Sequence, residues 1–197
     1  VLVFFFFFCL EKLWRTPIFL ILLIGMTLGG ALLVGFADKL PLTVQRALSI
    51  LPVEIDPLVR ASAQDSTEWR LEIWKSMLPQ VPQYFFLGKG YNVSGDELFM
   101  SYQSTYRGLA ARWEGAALAG DYHSGPLSVI IPFGIWGLAA FVWLLIVGTR
   151  FLHRAYRDGA PELRQINALL LALFLARILF FVFVFGTLNG DLFHFTG

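Results

Sequence analysis

Residues 126–148 read PLSVIIPFGIWGLAAFVWLLIVG, an apolar run without one charged side chain. A bilayer core about 30 Å thick is crossed by roughly 20 apolar residues rising 1.5 Å each, so this run predicts a membrane-spanning helix. Residues 17–37 read the same way, and residues 165–186 do so with Arg177 as the one exception. Residues 1–10, VLVFFFFFCL, are apolar but too short to span. With no initiator Met, basic segment or small-residue cleavage site they do not read as a signal peptide. They are expected to be part of a transmembrane helix, and the chain part of a larger polytopic protein. Composition agrees: 57% of residues are hydrophobic, 20 are Phe and 15% are charged, far from soluble-domain averages. The expected fold class is all-α, a polytopic transmembrane helix bundle with a helical loop over residues 38–125.

A formal net charge of +1 says little about partners, but charge placement says more. Short loops rich in Lys and Arg stay on the cytoplasmic side. Lys12 and Arg15 mark one such loop, and Arg150, Arg154, Arg157 and Arg164 mark residues 149–164 as another. Two spans separate them, so both fall on one face. Residues 38–125 and the tail 187–197 then face the opposite, outer side of the membrane. Cys9, the sole cysteine, sits in an apolar run and reads as a small core residue.

The long loop reads as ordered. Leu40, Val44, Ala47, Leu48 and Leu51 form one apolar face between Pro41 and Pro52, predicting a short helix on the membrane surface. Asp65-Ser66-Thr67-Glu68 resembles a capping box, and Pro79 is a stop, predicting a helix over 66–78. Tyr102, Tyr106, Leu109, Trp113 and Ala116 predict a third helix over 97–117. Gly88-Lys89-Gly90 and Ser94-Gly95-Asp96 read as turns.

Three residues stand out chemically. Arg70 and Trp74 are four apart on the 66–78 helix and share its apolar face. A guanidinium there suits a phosphate or pyrophosphate, and a structural cation–π or ion pair is the alternative. His123 stands just before Pro126, where the chain re-enters the apolar phase. Its ordinary pKa suits proton abstraction from a sugar hydroxyl; a helix cap is the alternative. Arg177 lies near the middle of an apolar span, where a charge is a functional candidate by default; a lipid-linked phosphate would be its natural counter-ion. Zinc spacing, a Walker loop, G-x-G-x-x-G and G-x-S-x-G are all absent from the sequence.

Four segments, Glu68-Trp69-Arg70-Leu71-Glu72-Ile73-Trp74, Phe86-Leu87-Gly88-Lys89-Gly90, His123-Ser124-Gly125-Pro126 and Phe133-Gly134-Ile135-Trp136-Gly137-Leu138, together resemble the O-antigen ligase and polymerase family. The resemblance runs from Ser66 to Leu138. It implies a GT-C-like membrane glycosyltransferase that moves a glycan from undecaprenyl pyrophosphate to an acceptor hydroxyl by an inverting displacement, without a metal or other cofactor. The implied acceptors are a glycan, the lipid A core or a protein; membrane lipids surround the chain, and nucleic acid is not an expected partner. By the same resemblance His123 and Arg70 are the catalytic residues. Arg70, Trp74, Lys89 and Arg177 are the expected contacts to pyrophosphate and glycan, Arg177 on physical grounds alone. Ser124 departs from the Asn that usually follows the histidine. A transporter or lipid-linked glycan flippase component without covalent chemistry is the competing expectation, and a non-catalytic glycan- or protein-binding scaffold a third.

Overall fold

The computed structural model describes residues 1–196, with Asn189 described by its backbone alone. The helices are α1 (Leu2–Leu10), α2 (Ile18–Gly35), α3 (Leu42–Leu48), α4 (Pro57–Met77), α5 (Val81–Tyr84), α6 (Gly95–Tyr106), α7 (Glu114–Leu118), α8 (Gly125–Asp158), α9 (Arg164–Leu179) and α10 (Leu188–Thr196). No strand occurs among the described residues. By length and composition, Ile18–Gly35, Gly125–Asp158 and Pro161–Val184 are able to cross a membrane. The chain is an all-helical membrane protein.

It divides into two compact units, Glu11–Trp69 and a second made of Val1–Leu10 with the chain from Arg70 onward. In the first unit, α2 is apolar on every face and has no buried residue, as a lipid-facing span requires. Gln45 organises the turns after it: Nε2 donates to the carbonyls of Asp38 at 3.1 Å and Leu40 at 2.9 Å, and Oε1 accepts the Asp56 N–H at 3.0 Å. The helix expected to start at residue 66 starts at Pro57. Asp56 Oδ1 accepts the Leu58 N–H at 2.8 Å, and Pro57 stands in the first turn, where no N–H is needed. Residues 65–68 therefore lie inside α4, and the Ser66 hydroxyl accepts from Arg46 instead of capping a helix.

In the second unit α9 packs against α1 and α8. Ala168, Ala172 and Ala176 recur at one-turn spacing on α9 and are all buried, a small-residue stripe that lets helix backbones approach closely. Next to it Phe141, Phe174, Phe181 and Phe195 form an aromatic cluster, with Phe141–Phe181 centroids 5.1 Å apart. α8 runs on to Asp158, so the loop expected over 149–164 is confined to residues 159–163. Residues 149–158 contain no Gly or Pro to stop the helix before Gly159, and Asn167 Nδ2 donates to the Ala155 carbonyl at 2.9 Å near its end. The expected tail is helical as well, forming α10; Gly197 lies outside the described residues. The predicted third loop helix is two helices. The Ser94 capping box starts α6, and Gly108, at φ 68°, separates it from α7.

α8 is broken within its apolar run. Gly134 sits at φ 64°, ψ −163° inside the helix, shortly after Pro132. Unpaired backbone groups in an apolar medium cost several kcal/mol each, about the value of a hydrogen bond with no water to replace it. Residues 85–90 supply the partners: Lys89 N–H donates to the Ile131 carbonyl at 2.7 Å, Gly90 N–H to that of Pro132 at 2.9 Å, and Ile135 N–H to that of Phe85 at 2.6 Å. The approach is backbone on backbone. A Cβ on Gly134 would lie 2.7 Å from the Phe86 carbonyl oxygen and 2.9 Å from Gly88 N. Gly88 and Gly90 have φ of 74° and 75°. The turn predicted at Gly88-Lys89-Gly90 is thus the plug of a broken helix.

Candidate active site

One face of α4 holds Arg70, Ile73, Trp74 and Met77. Ile73 and Met77 are buried in a cluster with Tyr122, Leu127 and Ile131. Trp74 Nε1–H donates to the Tyr122 carbonyl at 3.1 Å, so its polar handle pins the segment leading into α8. Burial raises the Tyr122 hydroxyl to about 12, so it stays protonated at neutral pH.

His123 follows with φ 48°, left-handed backbone that non-glycine residues adopt rarely. Asp121 supports it twice, through Oδ1, which accepts the His123 N–H at 3.2 Å, and Oδ2, which lies 3.4 Å from Nε2. Ser124 has extended backbone at the start of α8, and Gly125 and Pro126 open the helix.

The far wall comes from the end of α9. Its last turn widens into a π-helix, Phe180–Val184, after which Phe185 is extended; such bulges recur at functional sites. Gly186 comes within reach of Gly125, so that a Cβ there would be 3.0 Å from the Gly125 Cα. Ser128 Oγ accepts the Leu188 N–H at 3.1 Å and donates to the Gly125 carbonyl at 2.8 Å. These contacts set the Phe185 ring against the loop. The His123 ring lies 4.8 Å from it, centroid to centroid, and the Arg70 guanidinium lies 5.9 Å from its centroid. A cation and a titratable base therefore share one aromatic ring. Among the described residues no carboxylate pairs with Arg70.

Lys89 and Arg177 are elsewhere. Lys89 is paired with Glu97, whose carboxyl is held below its ordinary range by that hydrogen bond and by the Ser94 N–H. The pair lines a cleft of about 330 Å³ that Tyr122 also lines, apart from the Arg70–His123 pair. Arg177 has a counter-ion in the chain itself, where a lipid-linked phosphate was expected. It pairs with buried Asp191, whose Oδ2 also accepts the Thr187 N–H at 2.9 Å. The Arg177 guanidinium lies 5.8 Å from the Phe180 ring, which is 6.5 Å from that of Phe185. It also opens onto an apolar groove of about 1110 Å³ lined by α1, α8, α9 and α10. Arg70, Trp74 and His123 thus come together, while Arg177 is linked to them through two rings.

Sequence reasoning missed Asp121, Phe185 and Asp191. Asp121 was open to detection, as a carboxylate two residues before a histidine. Asp191 was a weaker signal, the acidic residue nearest after the span that holds Arg177. Nothing distinguished Phe185 from the other phenylalanines of that span.

An all-helical membrane protein, with a guanidinium and an imidazole gathered where a polar loop meets an apolar helix, is suited to chemistry on a substrate that is part lipid and part polar. The chain belongs to the O-antigen ligase family, whose model matches residues 1–142. Arg70, Trp74, Lys89, Asp121 and His123 lie inside the matched region, and Arg177 and Asp191 beyond it. No curated protein and no solved structure matches the chain. Membership places it among membrane enzymes of glycosyl transfer in polysaccharide assembly.

Proposed function

We propose that the chain carries the reaction centre for moving a glycan from undecaprenyl pyrophosphate to an acceptor hydroxyl, on the periplasmic face of a bacterial inner membrane. The observation that carries this reading is the placement of Arg70 and His123 on the single Phe185 ring. The acceptor oxygen attacks the anomeric carbon as the bond from that carbon to the pyrophosphate oxygen breaks. The hydroxyl proton passes to the His123 imidazole, and Asp121 stabilises the resulting imidazolium. Negative charge grows on the departing pyrophosphate and is met by Arg70, whose planar guanidinium suits phosphate oxygens. The step inverts the anomeric centre and draws on no metal. Arg177, held by Asp191, faces the apolar groove and steadies the carrier's headgroup while its tail lies along the groove. The acceptor is a glycan, the lipid A core or a protein.

Transfer by the full-length protein in membranes is the test. His123→Ala should lower the rate by roughly 10²–10⁴-fold, the range of general acid–base catalysis, with membrane insertion unchanged. Wild-type rates in that variant would remove the imidazole from the mechanism.

The interruption of α8 at Gly134 favours a second reading, a transporter or flippase component, because broken helices line transport sites. Here the Ile131 and Pro132 carbonyls are engaged by Lys89 and Gly90, which leaves them poorly placed to hold a travelling ion. Mass analysis of lipid-linked glycans in cells with and without the gene separates the readings, since transport alone changes no covalent bond.

A further inference from the structure

The cleft of about 330 Å³ between the end of α4, α6 and α7 takes no part in the chemistry at Phe185. Its size falls at the small end of ligand sites, roughly 300–1,000 Å³, and suits a monosaccharide or disaccharide. Buried Met77 and Tyr122 line its apolar part beside half-buried Trp113. The polar part carries two carboxylates and one cation. Lys89 pairs with Glu97. Glu114 accepts from Ser104 Oγ at 2.7 Å and from the Ala111 N–H at 3.0 Å. Each carboxylate oxygen offers about two acceptor sites, so one neighbour apiece leaves Glu114 able to accept further hydroxyls.

Charge and polarity narrow the ligand. Lys89 and Glu97 cancel, and ionised Glu114 leaves the cleft with an excess negative charge, which disfavours phosphates and other anions. An alkyl chain would strand these polar groups without partners. A ring with apolar C–H faces and several neutral hydroxyls satisfies both parts, stacking on Trp113 and hydrogen-bonding to Glu114 and the Lys89–Glu97 pair. Tyr122 joins this cleft to the reaction centre. Its side chain lines the cleft, its carbonyl is fixed by Trp74, and His123 is the next residue.

We infer that the Trp113–Glu114 cleft is a saccharide subsite, holding a neutral pyranose ring of the glycan donor or of a saccharide acceptor beside His123. The inference rests on the glycosyl-transfer reading and adds the residues that recognise sugar. Its test uses the full-length protein in lipid nanodiscs. The probe is the oligosaccharide released by mild acid from the same cells' own polyprenyl-linked pool, observed by saturation-transfer NMR. Wild type and His123→Ala should saturate the sugar protons equally, while Trp113→Ala and Glu114→Gln should weaken binding about tenfold or more, the cost of leaving polar or stacking partners unmatched. Trp143→Ala, at an exposed position on α8, should leave binding unchanged. In turnover, the Glu114→Gln variant should raise KM about tenfold with kcat nearly constant. A rise for the lipid-linked donor assigns the ring to the donor, and a rise for the acceptor assigns it to the acceptor. Because Trp113→Ala could unfold the cap, Glu114→Gln and Trp113→Phe with wild-type melting are decisive. Wild-type binding and KM in folded Glu114→Gln and Trp113→Phe overturn the subsite. Wild-type transfer in His123→Ala would overturn the catalytic reading and leave the subsite standing.

Discussion

The runs 17–37 and 126–148 are almost equally hydrophobic, yet the helices they form, α2 and α8, do different work. α2 is unbroken and apolar all round, and its Gly25, Gly29 and Gly30 have no atom within 4 Å of an added Cβ. α8 buries Leu127, Val129 and Ile131, breaks at Gly134, and accepts residues 85–90 into the break. Spanning lipid needs only apolar surface and closed hydrogen bonds. Carrying a site needs, in addition, points where another backbone enters, and glycine makes those points possible. Hydropathy reports the first requirement and is blind to the second.

The largest effect expected from this contrast is at the break. Gly134→Ala and Gly88→Ala each place a side chain on backbone with positive φ and against neighbouring main chain. Strain combined with a lost buried hydrogen-bond network belongs to the exceptional class of roughly 4 kcal/mol or more. Both variants should fail to accumulate in membranes or should melt far below wild type, measured by thermal unfolding in detergent. Near-wild-type melting of both would mean the break is not held by residues 85–90.

Next in size is the guanidinium beside Phe185. Arg70→Lys keeps the charge and loses the planar fork, so transfer should fall by roughly 10²-fold, as when a donor to a developing oxyanion is removed. Melting should hardly change, because Arg70 has no ion-pair partner among the described residues. Asp121→Asn should cost less, about tenfold or 1.4 kcal/mol in the barrier.

Much of this architecture is legible in the sequence. Three spans, a helical loop and the Arg70–Trp74 face follow from apolar length and four-residue spacing, both local properties. The break was half-visible, because Pro132 and Gly134 stand two apart in an apolar run, but the plug lies some distance away in sequence and its fit is a matter of backbone contact. The Ser66–Glu68 pattern has the residue types of a capping box, but the side chain that caps the start of α4 is that of Asp56, which accepts the Leu58 N–H. Arg177 was recognised as an anomaly, but the anomaly is partly resolved within the chain by Asp191. The His123–Phe185 contact joins the segment before α8 to the one that follows α9, and no local pattern encodes it.

A smaller effect concerns pH in the polar cap. Glu97 closes the capping box at Ser94 and pairs with Lys89, and both interactions need its carboxylate. The Lys89 hydrogen bond holds its pKa in the fold below the ordinary value of 4.5. A depressed carboxyl contributes stability above its unfolded pKa and loses it as pH falls through the folded one. The α6 amides should therefore lose protection against exchange only as pH drops below about 4.5, the ordinary value. Glu97→Gln should remove that acid-dependent step in hydrogen exchange, whereas the lipid-facing α2 should show no such step.

The smallest effect is expected in α2, and it completes the comparison with α8. Gly29 and Gly30 are helical glycines facing open space in the chain, so Ala at either position meets no clash. Alanine gains roughly 1 kcal/mol of helix propensity over glycine in a helix interior. Gly29→Ala should thus leave melting and transfer at wild-type values or raise stability slightly, read by the same thermal unfolding as the break variants. A loss comparable to that of Gly134→Ala would show that α2 is packed as closely as α8, and that its glycines also mark a backbone contact rather than a span that only meets lipid.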